Sequence, residues 1–151
     1  MIRKDRTNDH HGGVCTYVHS SIPDQVLVMS YQTSLEVLWF KLCPYRLPRG
    51  LSCIIIGTVY HPPSANDEVM RSYLVDQLYA IESKYRSCGI ILLGDFNRFN
   101  VRSICNLFKM KQIIDFHTRK DLTLDLVLTN MHNNIKTRKG CLHLAHLTIS
   151  Q

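Results

Sequence analysis

Asp95 and Asn97 stand two residues apart, directly after the apolar run Ile90-Ile91-Leu92-Leu93 and Gly94. Residues two apart on a strand point to the same side, so a carboxylate and a carboxamide would be presented together at a buried strand's mouth. A hydrolytic site is often built this way. The same pair also makes a turn, because Asp and Asn after a strand hydrogen-bond their own backbone. Gly94 allows backbone or ligand to approach closely in either case.

Three other polar side chains occupy comparable places: Tyr60 ends the run Cys53-Ile54-Ile55-Ile56-Gly57-Thr58-Val59, Asp125 lies between Leu124 and Leu126, and His146 lies in the tail. Strand ends converge when their strands share one sheet. Taken singly, Tyr60 suits an amphipathic core edge, Asp125 a cap or ion-pair partner, and His146 an ordinary surface position. His10-His11 and the pair His143/His146 lack the third ligand or glutamate of a zinc site. The six cysteines are scattered singly, with no Cys-x-x-Cys pair. They read as reduced thiols, which predicts no disulfide-linked partner and no structural zinc.

The elements that must position these residues follow from pattern. Val14–Val18, Val26–Met29 and Leu35–Leu42 read as three strands with short polar links, which implies antiparallel pairing. Cys53–Tyr60 is apolar almost throughout, as a strand buried on both faces would be. A helix is expected from Ser64–Glu68 to about Arg86. Ser64 and Asn66 are its capping candidates, Met70, Leu74, Leu78, Ile81 and Tyr85 its apolar stripe, and Gly89 its stop. Ile90–Leu93 then forms a strand that need not neighbour Cys53–Tyr60. Val101–Met110 reads as a short helix, Gln112–Phe116 and Leu124–Thr129 as strands, Asn133-Asn134 as a turn and Leu147–Ile149 as a last strand. This alternation predicts layered α/β packing in a single domain over residues 1–151.

A net charge of +6 in 151 residues favours a polyanionic partner. The positive residues are mostly dispersed, with modest density at Arg3, Lys4 and Arg6 and again at Lys136, Arg138 and Lys139. No apolar stretch approaches the roughly 20 residues of a membrane span, and Met1 to His11 is too polar for a signal peptide. The expectation is an intracellular protein, nuclear or cytoplasmic rather than secreted.

Taken in order, several segments resemble the endonuclease/exonuclease/phosphatase family, the DNase-I-like fold, and most closely the endonuclease domain of non-LTR (LINE-type) retrotransposons. They are Asp5-Arg6 with Gly12-Gly13-Val14, Leu35 to Trp39, Thr58-Val59-Tyr60-His61-Pro62-Pro63, Gly89 to Asn97, Thr118-Arg119, and Leu124 to Asn130. The resemblance implies a four-layer α/β sandwich of two packed sheets with outer helices, here partial. It also implies Mg²⁺-assisted hydrolysis of a phosphodiester, with DNA as the partner. Asp95 would orient or deprotonate the attacking water, and Asn97 would hold phosphate or water beside it. Tyr60 would contact the phosphate or support the leaving group, and Asp125 would orient the ring of His146 toward the phosphate.

The chain departs from the family pattern in two ways. The family's first elements, with a metal-binding Glu, precede the Arg and Gly-Gly segment near which this chain starts, and Glu36 lies in a later strand. The family's terminal Ser-Asp-His is here Leu144-Ala145-His146. A hard cation needs oxygen ligands, so weakened Mg²⁺ binding and impaired catalysis are expected. A non-catalytic nucleic-acid-binding module and a phosphatase acting on a small phosphoester are the alternatives. A sheet lacking core strands should be marginally stable or associate through open edges.

Overall fold

The computed structural model describes residues 2–5, 13–27, 35–136 and 148–149. In chain order the elements are β1 (Ile2–Asp5), β2 (Gly13–Thr16), β3 (Asp24–Val26), β4 (Glu36–Leu42), β5 (Cys53–Tyr60), α1 (Asp67–Lys84), β6 (Cys88–Asp95), α2 (Arg102–Leu107), β7 (Lys111–Gln112), β8 (Asp125–Thr129), β9 (Ile135–Lys136) and β10 (Thr148–Ile149). The chain is therefore mixed α/β. One six-stranded mixed sheet runs in the order β3-β4-β5-β6-β8-β7, beside two-stranded sheets β1-β2 and β9-β10.

β5 and β6 lie side by side and parallel, in register from Cys53↔Cys88 to Tyr60↔Asp95, with α1 as the crossover between them. Parallel central strands need cover on both faces, which explains their nearly unbroken apolar sequences. Ile55, Val59, Ile90 and Leu92 pack with Met70, Leu74, Leu78 and Ile81 of α1 and Ile104 of α2 on one face. Ile54, Ile56, Ile91 and Val127 pack with Ile2 of β1, Val14 of β2 and Ile135 of β9 on the other. Helices thus cover one side of the six-stranded sheet, and short sheets cover the other. Within the helical layer Trp39 Nε1 donates to Tyr73 Oη at 3.2 Å, so the largest buried ring leaves no polar atom stranded.

Helix α1 starts where its capping chemistry places it. Asn66 Oδ1 accepts from Glu68 N at 2.9 Å and Val69 N at 3.2 Å, with Asp67 and Glu68 in the first turn. Met70, Leu74, Leu78 and Ile81 are buried as their spacing requires, joined by Tyr73 and Gln77. Gly89 does not stop this helix. It lies inside β6, and the side chain of Met131 packs where a Cβ would sit.

The expected antiparallel pairing of the first three strands holds for the second with the third but not for the first. β2 pairs antiparallel with β1, a strand the polar start did not suggest, while β3 pairs antiparallel with β4. Pairing partners depend on distant contacts that short polar links do not specify. Part of the expected Val26–Met29 strand, and the start of Leu147–Ile149, lie outside the described residues. Among the described residues no helix is long and apolar enough to cross a membrane.

Candidate functional site

Three of the singled-out residues fall into one line. Tyr60 of β5 is the register partner of Asp95 at the end of β6, and Asp95 is the partner of Asp125 at the start of β8. Directly opposed residues share a face of the sheet, about 5 Å apart from strand to strand. Tyr60 packs with the core beneath β1 and β2. The row therefore lies on the side away from the helices. Asp95 and Asp125 place like charges opposite one another, which costs stability unless a cation or a protonated imidazole lies between them.

Asn97 reaches this row differently from the strand-face expectation. β6 ends at Asp95, and Asn97 sits in the left-handed region at φ 49°. Its backbone N–H donates to Asp95 Oδ1 at 2.9 Å, the self-capping turn that Asp and Asn favour. Asp95 thus spends one carboxylate oxygen on the backbone N–H of Asn97. Phe96 points away and is fully buried in the helical-side core, which anchors the turn.

Gly94 is required by β5. It has φ 135°, and a Cβ there would overlap the carbonyl oxygen of Val59, its register partner. Backbone rather than ligand makes the close approach. On the other flank Thr118 Oγ1 accepts from Leu124 N at 3.0 Å and Asp125 N at 3.1 Å, which pins the β7–β8 loop beside Asp125. Asp125 itself is exposed, whereas Asp95, Asn97 and Tyr60 are half-buried.

His61 is a residue the sequence reading missed. It is 2% exposed, and its backbone N–H donates to Asp95 O at 2.9 Å while its carbonyl accepts from Asn97 Nδ2 at 2.8 Å. Its Nε2 lies 2.8 Å from Asp67 Oδ1 at the start of α1, and its ring meets Phe99 with centroids 5.1 Å apart. One histidine thus ties the row to both the helix and the β6–α2 loop. The available signal was a histidine after a strand-ending tyrosine, with an acid in the next helix's first turn.

Glu36 extends the row, because it is the register partner of Tyr60. It stands two strands from Asp95, about 10 Å across the sheet, and does not converge with it. Lys4 Nζ donates to Leu35 O at 2.8 Å beside it. Burial holds the Lys4 ammonium below its ordinary range, and the Glu36 carboxylate works against that shift. His146 and Ala145 lie outside the described residues, as do Arg138 and Lys139.

Among the described residues no three His, Cys, Asp or Glu side chains converge to hold a metal. Mg²⁺ keeps several waters and takes only one or two carboxylates beside a substrate phosphate, a requirement the opposed pair Asp95 and Asp125 can meet. No family model, curated protein or solved structure matches the chain.

Proposed function

We propose that this chain is a retrotransposon-derived endonuclease domain of the endonuclease/exonuclease/phosphatase type, whose ancestral reaction is metal-dependent nicking of DNA, and that the reaction is impaired here. The observation that carries this reading is the single register row Tyr60, Asp95, Asp125, assembled from motifs far apart in the chain. Layering is compatible with it: helices on one face of the main sheet and a short second sheet on the other correspond to part of a four-layer sandwich.

In this reading Asp95 uses its remaining carboxylate oxygen to orient the attacking water and accept its proton, which requires hydrogen-bond reach. Asn97, held through His61, places its carboxamide beside the phosphate. Tyr60 supports the leaving oxygen. By the family resemblance Asp125 would orient the ring of His146, a residue outside the described ones. Mg²⁺ beside this row would supply charge neutralisation at the phosphate. Impairment follows from the two departures from the family pattern, the absent metal-binding Glu and Ala145 in place of the terminal Asp.

Relaxation of supercoiled plasmid in Mg²⁺ tests the proposal. The unmodified chain should nick no faster than Asp95→Ala. Robust nicking that Asp95→Ala abolishes would overturn the impairment, and Asp95-dependent turnover of a soluble phosphoester without nicking would replace the nuclease with a phosphatase.

A further inference from the structure

The end of the main sheet away from the carboxylate row carries a second, chemically different surface. β4 ends there and β5 and β6 begin there, about 23 Å from the row by the length of an eight-residue strand. The β4–β5 loop and the α1–β6 turn are tied together by Ser52 N donating to Ser87 O at 2.9 Å and Ser52 Oγ donating to Arg86 O at 3.1 Å. Arg46, Arg49, Lys84 and Arg86 are exposed on these two segments, with half-buried Lys41 between them. Asp24 at the start of β3 and Glu82 on α1 are the acids of the adjoining elements. Positive charge therefore dominates this end, while the acids Glu36, Asp95 and Asp125 mark the other.

Two aromatic rings sit among these cations. Tyr45 is 96% exposed between Pro44 and Arg46, so it contributes nothing to the core. The ammonium groups of Lys41 and Lys84 lie 5.7 Å and 5.4 Å from the centroid of the Tyr85 ring. Two like charges held around one ring repel, and a bound anion relieves that repulsion.

We propose that this pole binds single-stranded nucleic acid, with Tyr45 stacking on an unpaired base and Arg46, Arg49, Lys84 and Arg86 contacting phosphates. A ring displayed on a loop tip needs an exposed base face, which a duplex hides, and guanidinium groups beside it suit phosphate oxygens. An acidic protein would satisfy the arginines and leave the projecting ring unexplained. The surface does not depend on the carboxylate row or on its chemistry.

Fluorescence anisotropy of a labelled oligothymidylate with the full chain, without metal, tests this. Tyr45→Ala, at a side chain that packs against nothing, should weaken binding on the order of tenfold. Arg46→Ala with Arg49→Ala should reduce the slope of log affinity against log salt by about 1.4. Asp95→Ala should leave both unchanged, which separates this surface from the proposed phosphodiesterase centre. Absent binding, an unchanged affinity in Tyr45→Ala, equal binding of a duplex of the same length, or equal competition by polyglutamate would each overturn the proposal.

Discussion

Gly94 leaves room for only a hydrogen atom where β6 faces the Val59 carbonyl of β5. Any side chain there meets the Val59 carbonyl, and the positive φ adds strain, so Gly94→Ala should destabilise the fold by about 3 kcal/mol or more in urea titration. An unchanged midpoint would mean that β5 and β6 are not in this register. Cys88 gives a second prediction at this scale. Burial, reinforced by neighbouring Cys53, pushes its thiol up to about 11 from 9.0. The native state therefore holds the proton more tightly than the unfolded chain, so its contribution is complete below about pH 8.5 and is lost as pH rises toward 11. Urea stability should fall by about 2 kcal/mol between pH 8 and 10.5, and Cys88→Ala should flatten that fall. Asp95 and Asn97 were legible as chemistry from their types and spacing. Their geometry was not, because the competition between continued strand and self-capping turn is decided by where Phe96 can be buried. His61 was harder to read: its ring partner Asp67 left a sequence signal, but its backbone bonds to Asp95 and Asn97 carry no residue signature.

Among the elements, α1 was the most legible, since caps and stripe are local. Asn66→Ala should cost about 1 kcal/mol and Asn66→Asp almost nothing, measured by chemical denaturation. Equal losses in both variants would assign the effect to something other than the cap. Strands β5, β6 and β8 were also legible from their apolar runs. The partner of each strand was harder to read. That β5 and β6 are neighbours, that β8 returns antiparallel beside β6, and that β1 pairs with β2 are all consequences of which faces can be covered together. Edge strands β3 and β7 are only three and two residues long. Short edges blunt the intermolecular pairing that open sheets invite.

Across the whole molecule, layered α/β packing followed from the alternation of patterns, and the site followed only once the register was known. Tyr60, Asp95 and Asp125 are 35 and 30 residues apart in the chain, and the sheet places them on one line. Charge shows the same dependence on topology. In sequence the basic residues look dispersed, yet folding gathers Arg46, Arg49, Lys84 and Arg86 at one pole and the carboxylate row at the other. The central claim is that this row is a weakened metal and phosphate centre, and paramagnetic Mn²⁺, standing in for Mg²⁺, tests it most directly in a titration followed by amide NMR signals. The account predicts that signals of Asp95, Asn97 and Asp125 broaden first, and that Ala145→Asp lowers the Mn²⁺ concentration needed by about tenfold, the order of effect expected of a lost metal-site carboxylate. Broadening that begins elsewhere, or a titration that Ala145→Asp leaves unchanged, would contradict it.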